Sequence, residues 1–358
     1  MRPFCTSPRI YAVLKPSRHR SIPLVNDSVP ASNTQIEPQE PDWQPIPQFV
    51  PIAARYSTVP AHPPLKTLLL AILLFLATLC TCLVAGAHFA AAYAENEAVN
   101  FDEFLNALTL LYKHPFALLT GLPFALTLLT ILLVHELGHY FACRHHHIHS
   151  TYPYFIPFPS LIGTFGAFIM IRSAIRTKRA LFDVGASGPL FGFIVAMPAL
   201  LFGILHAKVV PGLADPKHVS AILGAPLILH GLAAIFYPHT PVANILLHPV
   251  GRAAWVGLFA TSLNLLPAAQ LDGGHILRSL SPRIHRYSSW ILPFILIALA
   301  FFHFWVGWYV WGTLLFIIRF FRFVPIFDPE PLNPARRFGA LISLAVFILC
   351  FMPSPFLE

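Results

Sequence analysis

Residues 131–140 read ILLVHELGHY, which places a His-Glu pair and a second histidine at the end of a long apolar run. On a helix, His135 and His139 stand at positions i and i+4, so both imidazoles project from one face. A tetrahedral metal ion requires this spacing of two nitrogen ligands. Glu136 follows the first ligand directly, where its carboxylate can act as general base on a metal-bound water. The pattern predicts a metal-dependent hydrolytic site; the alternative is two core histidines and a buried glutamate without a metal.

The composition around this stretch favours a chemical role for Glu136. The chain has 358 residues, 56% hydrophobic and 11% charged, with a mean hydropathy of +0.67. Soluble domains carry about 25% charged residues, so the composition predicts a polytopic membrane protein. A membrane topology also explains the net charge of +8 better than a nucleic-acid partner does. A carboxylate inside an apolar segment costs several kcal/mol unless it has a partner or a function.

Residues 1–64 differ from the rest of the chain because they hold 13 prolines and show no amphipathic period. This composition predicts a disordered, cytoplasmic, proline-rich tail. The tail lacks the continuous apolar core of a cleaved signal peptide. A chloroplast transit peptide is the competing interpretation, because residues 1–22 are basic, contain no acid and include three serines. Residues 65–358 form the predicted transmembrane domain, which contains the predicted metal site.

The apolar segments predict an all-α polytopic membrane protein with about seven transmembrane helices. The predicted spans are residues 67–93, 116–143, 182–206, 250–266, two spans within 288–318 divided near 304–307, and 338–352. Residues 221–236 are too short for a span and are interpreted as interfacial or half-inserted.

The segment between the second and third spans, residues 144–181, breaks this helical pattern. Its prolines forbid a regular helix, and two glycines lie among its aromatic and β-branched residues. We expect a re-entrant, β-hairpin-like segment that protein or a cavity covers. The open edge of such a strand can pair with an extended substrate.

The distribution of lysine and arginine predicts the orientation. With a cytoplasmic amino terminus, 19 of these residues fall on cytoplasmic segments and 4 on the opposite side. Positive charge is enriched in cytoplasmic loops. The chain is therefore expected to be a multi-pass integral membrane protein whose HELGH motif lies at the cytoplasmic end of the second span.

A catalytic zinc ion needs three protein ligands and one open position, so a third ligand must join His135 and His139. The other acids in or beside the predicted spans are Asp183 and Asp272. Asp272 lies at the cytoplasmic end of the fourth span, after Pro267 has broken the helix. Asp183 opens the third span and is expected to be a helix N-terminal carboxylate stabilised by the macrodipole. The prediction is one zinc ion per chain, held by the two histidines and Asp272.

Two motifs together resemble the site-2 protease family of intramembrane zinc metalloproteases. They are HELGH at residues 135–139 and NLLPAAQLDGGH at residues 264–275. The resemblance covers roughly residues 116–290, the expected catalytic core. The stretches GTFG at 163–166 and DVGASGP at 183–189 resemble the subgroup that includes the chloroplast homologues and their bacterial relatives. The chain has no insertion large enough for the PDZ domain that some members carry.

This resemblance implies roles for individual residues. The residue matching Asp272 is the third zinc ligand, and the residue matching Glu136 activates water. The residue matching Asn264 helps to hold the substrate or the developing oxyanion. An extended substrate laid against the hairpin would contact its motif residues, which are Gly163, Thr164, Phe165 and Gly166.

The predicted function is hydrolysis of transmembrane protein substrates near the cytoplasmic face, as in regulated intramembrane proteolysis, with the bacterial inner membrane as the predicted location. The expected partners are the substrate and the lipid bilayer, and no nucleic acid. A polytopic zinc transporter that uses histidines 145–149 as an entry site is one alternative, and a catalytically silent, substrate-binding homologue is another. A transporter predicts metal ligands along a path through several spans, whereas this sequence offers a single compact set.

Overall fold

A computed structural model of the chain describes residues 65–98, 115–213, 222–320 and 330–357. These residues belong to one compact unit, Thr58–Glu358. The proline-rich tail predicted for residues 1–64 lies outside the described residues, so its disorder stays a prediction.

Helices dominate the described part of the chain. Its α-helices are α1 (Leu65–Glu95), α2 (Leu122–His145), α3 (Lys178–Leu205), α4 (Leu227–Phe236), α5 (Pro249–Asn264), α6 (Asp272–Leu280), α7 (Pro282–Phe301), α8 (Gly307–Ile318) and α9 (Pro334–Cys350). Its 3-10 helices are Pro115–Gly121 and Val242–Asn244. Its strands are β1 (Tyr154–Pro157), β2 (Thr164–Phe168), β3 (Lys208–Val209), β4 (Ile222–Leu223), β5 (Ile245–Leu246) and β6 (Phe356–Leu357). Strand β1 pairs with β2, β3 with β5 and β4 with β6, each pair antiparallel.

Four of the described helical segments are long and apolar enough to cross a membrane. They are Leu65–Glu95, Phe116–His145, Lys178–Leu205 and Pro282–Phe301. Large apolar side chains stay exposed on the outside of these segments; Leu73, for example, is 64% exposed. Lipid covers such a surface at low cost, whereas water does not. The chain is therefore a helical integral membrane protein, as its composition predicts.

The other three predicted spans correspond to shorter helices. Helices α5, α8 and α9 have 16, 12 and 17 residues, whereas a hydrocarbon core of about 30 Å takes about 20 helical residues. Helix α5 is buried on nearly every face by protein. The count of seven spans therefore stays a prediction.

Helix α3 lies at the centre of the bundle and packs against α2, α5 and α6. Small residues let the backbones approach closely. A Cβ atom added at Gly203 would lie 2.1 Å from the Cα of Gly251 on α5. A Cβ atom added at Gly138 on α2 would lie 2.8 Å from the carbonyl oxygen of Ser187 on α3. The central helix is thus fixed directly against the helix that carries the HELGH motif.

The expected role of Asp183 as a helix N-terminal carboxylate is wrong. Helix α3 begins at Lys178 and is capped by the Thr177 side chain, so Asp183 lies in its second turn. The Asp183 carboxylate accepts two hydrogen bonds from Arg336 on α9, at 2.8 and 2.7 Å. It also contacts the His146 imidazole nitrogen Nε2 at 2.8 Å. The helix starts earlier than the apolar pattern because its first turn carries basic residues outside the apolar run.

Strands β1 and β2 form the hairpin predicted between the second and third spans. Tyr154 stands opposite Phe168, and the register shifts between Phe155 and Pro157. Helix α1 holds the connecting loop, because the Thr81 hydroxyl donates to the carbonyl oxygen of Gly163 at 2.6 Å.

Candidate metal centre

Helix α2 places three potential metal donors on its buried side. His135, Glu136 and His139 are each buried in the bundle. Their side-chain donor atoms all lie within 4.8 Å of one another. The rings of His135 and His139 have centroids 5.0 Å apart and meet edge to face. The i, i+4 geometry predicted from the sequence is therefore present, with both imidazoles on one face.

A tight return of the chain brings Asp272 to these histidines. Helix α5 ends at Asn264, and α6 begins at Asp272 itself. The next two residues must be glycines, because an added Cβ at Gly273 would lie 2.0 Å from the Leu265 carbonyl oxygen. At Gly274 it would lie 2.5 Å from the Ala268 carbonyl oxygen. The DGG sequence thus lets α6 start directly beneath the end of α5.

The carboxylate of Asp272 faces both histidines. Its Oδ2 atom lies 3.3 Å from Nε2 of His135 and 3.2 Å from Nε2 of His139. A tetrahedral zinc ion with ligands at about 2.0–2.1 Å separates neighbouring ligand atoms by about 3.3 Å. The spacing of these donor atoms, two imidazole nitrogens and one carboxylate oxygen, therefore fits a zinc site.

Two carboxylates lie near the histidine nitrogens. The Asp272 oxygen is within 3.3 Å of both nitrogens, and the Glu136 donor atom lies within 4.8 Å of them. The Glu136 carboxylate also lies near the backbone of Ile169, directly after β2. Glu136 thus lies beside the two histidines, where a carboxylate can act on a metal-bound water.

A backbone carbonyl fixes the orientation of His139. Its Nδ1 atom donates to the carbonyl oxygen of Val184 on α3 at 2.6 Å. Such a second hydrogen bond selects the tautomer whose Nε2 carries a lone pair, which is the form that binds a metal. Sequence reasoning missed Val184, because a backbone carbonyl carries no side-chain signature.

Glycines on α3 leave room for the metal-site side chains. An added Cβ at Gly188 would lie 2.1 Å from Nε2 of His139, and one at Gly192 would lie 3.1 Å from Nδ1 of His135. An added Cβ at Gly185 would lie 3.0 Å from the Asp272 backbone oxygen. The spacing of these glycines by three and four residues was a signal in the sequence for a helix face that packs on the site.

Asn264 also lies at the centre. Its side-chain Nδ2 is 3.3 Å from Nε2 of His135, so its amide faces the space where the donor atoms meet. His275, on the first turn of α6, is half-buried, and the loss of water around its ring lowers its pKa to about 4. Its neutral imidazole therefore adds no positive charge near Asp272 at pH 7.

The four predicted hairpin residues have different environments. The Thr164 hydroxyl donates to the Ile156 carbonyl oxygen and closes the hairpin. Gly163 has a positive φ and touches helix α1, where a Cβ would lie 2.6 Å from the Cα of Cys82. Phe165 is 68% exposed, and nothing lies within 4 Å of a Cβ added at Gly166. Phe165 and Gly166 are thus accessible to a ligand, whereas Gly163 and Thr164 hold the hairpin in place.

The distribution of metal donors does not favour the transporter alternative. Within the described ranges there is one group of three or more such donors, His135, Glu136 and His139. In the histidine tract, His146 bonds to Asp183. The path of successive metal sites that a transporter requires is not seen among the residues the structure describes.

Replacing Gly188 by alanine should weaken zinc binding. The new methyl group would collide with the His139 ring, which cannot move away without breaking its bonds to Val184 and Asp272. We expect a loss of zinc affinity of at least about 10–100-fold, the range seen when groups that orient a ligand are removed. The matched control is Gly231→Ala on α4, where an added Cβ meets nothing within 4 Å. Competition with a chromogenic chelator measures both, and equal affinities would contradict the role of Gly188.

Comparisons with known proteins agree with this geometry. The model of peptidase family M50 matches residues 123–301, which are half of the chain. The protein "Probable zinc metalloprotease EGY1, chloroplastic" of Oryza sativa subsp. japonica is 32% identical over 216 residues, covering 58% of this chain and 37% of the relative. Its namesake in Arabidopsis thaliana is 33% identical over 157 residues, covering 43% and 28%.

A second kind of plant relative aligns over a longer stretch. "Probable zinc metalloprotease EGY2, chloroplastic" of Oryza sativa subsp. indica is 32% identical over 247 residues, covering 66% of this chain and 43% of the relative. The chain thus spans less than half the length of each of these three relatives. No solved structure gives a significant match to the chain.

Proposed function

This chain belongs to peptidase family M50, and we propose that it is a zinc metalloprotease that cleaves transmembrane proteins inside the membrane, near the cytoplasmic face. Membership confirms the family resemblance carried by the HELGH and LDGG motifs. The observation that carries the proposal is the convergence of His135, His139 and Asp272 at zinc-ligand spacing, with the carboxylate of Glu136 beside them. The same arrangement does not favour a silent homologue, because every expected catalytic group is present.

In this proposal, His135, His139 and Asp272 hold one zinc ion. Bound zinc supplies Lewis-acid chemistry and lowers the pKa of water to about 7. Glu136 accepts the proton of the attacking water and delivers it to the amine of the leaving peptide. The Val184 carbonyl keeps His139 in the tautomer that binds a metal through Nε2. The bundle around these buried side chains excludes bulk water from the reacting atoms.

The substrate is proposed to bind as an extended strand. A helix hides its carbonyl groups in internal hydrogen bonds, so a transmembrane substrate must unwind before it can be cleaved. The edge of β2 that does not face β1 offers replacement hydrogen bonds, and Phe165 and Gly166 are accessible there. The Glu136 carboxylate lies near the backbone of Ile169, so this hairpin is next to the proposed general base. Asn264 is placed to donate its amide to the oxygen of the scissile carbonyl.

We also propose seven spans, a cytoplasmic amino terminus, and a hairpin that re-enters the membrane. The support is the charge distribution, with 19 lysines and arginines on one side and 4 on the other. The bacterial inner membrane stays the predicted location; the plant relatives reported above are named chloroplastic.

Single cysteines at positions 28 and 354 should react with a membrane-impermeant thiol reagent from opposite faces. An odd number of spans places the two ends of the chain on different sides, and labelling can be compared in inside-out and right-side-out vesicles. The background protein should lack the five natural cysteines. If both cysteines are labelled from the same face, the number of spans is even. The prediction that residues 288–318 form two spans would then be revised first.

Cleavage of a transmembrane substrate by the purified protein in liposomes should depend on zinc. We expect the chelator 1,10-phenanthroline to abolish cleavage and added zinc to restore it, because both proton transfer and carbonyl polarisation depend on the metal site. Mass spectrometry of the products locates the cut within the membrane segment. Cleavage that persists after complete removal of the metal would rule out the proposed chemistry.

A further inference from the structure

A cavity lies at the end of α5 remote from the metal centre. Its volume is about 190 Å³. Its walls come from α4, from β4 and β5, and from the first turns of α5, and they are mainly aliphatic and aromatic. The wall residues include Leu229, His230, Ala243, Arg252 and Trp255. With a rise of 1.5 Å per residue, the twelve residues from Arg252 to Asn264 separate this cavity from the metal centre by about 18 Å.

Arg252 is the charged group in this wall. It is only 5% exposed. Its Nε atom donates to the Leu247 carbonyl oxygen at 3.4 Å, and its guanidinium carbon lies 5.1 Å from the centre of the Phe89 ring. Among the residues that the structure describes, no carboxylate lies within ion-pair distance of Arg252. The two terminal nitrogens of the guanidinium thus have no protein acceptor in the described part of the chain.

A buried arginine without an opposite charge is costly. Taking a charge out of water costs several kcal/mol unless an opposite charge or hydrogen bonds compensate for it. Among the described residues Arg252 has no such charge, and its guanidinium lines a mainly apolar cavity. The position therefore calls for an anion that enters the cavity.

We propose that this cavity binds a small monocarboxylate with an apolar body, whose carboxylate pairs with the guanidinium of Arg252. A planar guanidinium matches a carboxylate through two parallel hydrogen bonds. The remaining wall suits an apolar body. The indole nitrogen of Trp255 already donates to the Gly224 carbonyl oxygen at 2.6 Å, so this side chain offers its ring, and Leu229 adds an aliphatic surface.

The cavity volume sets the size of the ligand. An apolar cavity of about 150 Å³ holds one benzene molecule. A cavity of 190 Å³ with an arginine in its wall therefore suits benzoate or a short fatty acid. The exposed His230 lies in the same wall, on the route from solvent.

Fluorine NMR of 4-fluorobenzoate tests this site without reference to proteolysis. The protein is placed in nanodiscs of phosphatidylcholine, and the line width of the ligand is followed in a titration. We expect saturable broadening with the wild-type protein. The neutral analogue 4-fluorobenzamide has the same shape, and it should bind at least about 10-fold more weakly, because a hydrogen bond to a charged group is stronger than a neutral one.

Variants locate the binding. Arg252→Gln should lose at least about 10-fold in affinity for 4-fluorobenzoate. The affinity of Arg252→Lys should lie between those of the wild type and Arg252→Gln, because lysine keeps the charge but lacks the planar guanidinium. The matched control is Arg283→Gln, which removes an exposed arginine on α7 and should bind as the wild type does. If Arg252→Gln does not fold, Ala243→Phe keeps the arginine and fills the cavity from an exposed wall position, and should also abolish binding.

Two results would overturn the proposal. One is equal binding of the carboxylate and the amide by the wild-type protein. The other is unchanged binding of 4-fluorobenzoate by folded Arg252→Gln or by Ala243→Phe. Neither result would bear on the proposed protease, whose site lies at the other end of α5.

Discussion

Glu136→Gln should leave zinc in place and lower the cleavage of a transmembrane substrate by about 10²–10⁴-fold, the contribution typical of general acid–base catalysis. The amide keeps the size of the side chain and can retain its contact with the backbone of Ile169, but it cannot accept a proton. Position 136 is about 100° around the helix from position 135. In the proposed site, the side chain therefore lies beside the two histidines and is not one of the three ligands. Cleavage rates in liposomes, together with zinc content, measure the effect.

The matched control is Glu97→Gln, which makes the same chemical change at an exposed position after α1. It should change neither zinc content nor cleavage. Near-normal cleavage by Glu136→Gln would show that another group accepts the proton. Loss of zinc from this variant would instead indicate that Glu136 is a ligand, and would shift the third position away from Asp272.

Asp272→Asn should weaken zinc binding by more than the roughly 10–100-fold expected for groups outside the ligand set. The change removes the negative charge whose oxygen lies 3.3 and 3.2 Å from the two histidine nitrogens. Asp183→Asn is the informative comparison, because Asp183 was the other acid in or beside the predicted spans. Its carboxylate is occupied by Arg336 and His146, so zinc affinity should change far less.

Chelator competition measures the zinc affinity of both variants. Thermal unfolding shows whether each variant is still folded. We expect Asp183→Asn to lower stability, because it breaks a bidentate ion pair between α3 and α9. If Asp183→Asn lost zinc as completely as Asp272→Asn in a folded protein, the assignment of the third ligand would be wrong.

The local part of the candidate site could be predicted from the sequence, because the i, i+4 spacing of His135 and His139 fixes their geometry on any helix. Asp272, although 137 residues from His135 along the chain, could be placed near it by membrane depth. The Val184 carbonyl could not be found, since a backbone atom is the same at every residue and only packing shows which one faces His139.

The prediction for Asp183 failed for a different reason. The third span was predicted to begin at about residue 182, whereas Thr177 caps a helix that begins at Lys178 with two basic residues. An ion pair with Arg336, 153 residues away, then decides the environment of this carboxylate. Apolar pattern alone locates the part of a helix that meets lipid, and it does not locate the polar turn that precedes it.

The zinc content of purified His139→Ala, measured beside the wild-type protein, tests the account's central claim most directly. His139 faces Asp272 with one nitrogen and bonds the Val184 carbonyl with the other, so its removal eliminates a ligand and opens the site. Elemental analysis should give one zinc per chain for the wild type and essentially none for the folded variant. Retention of a full equivalent of zinc by His139→Ala would contradict the assignment of His135, His139 and Asp272 as the metal site.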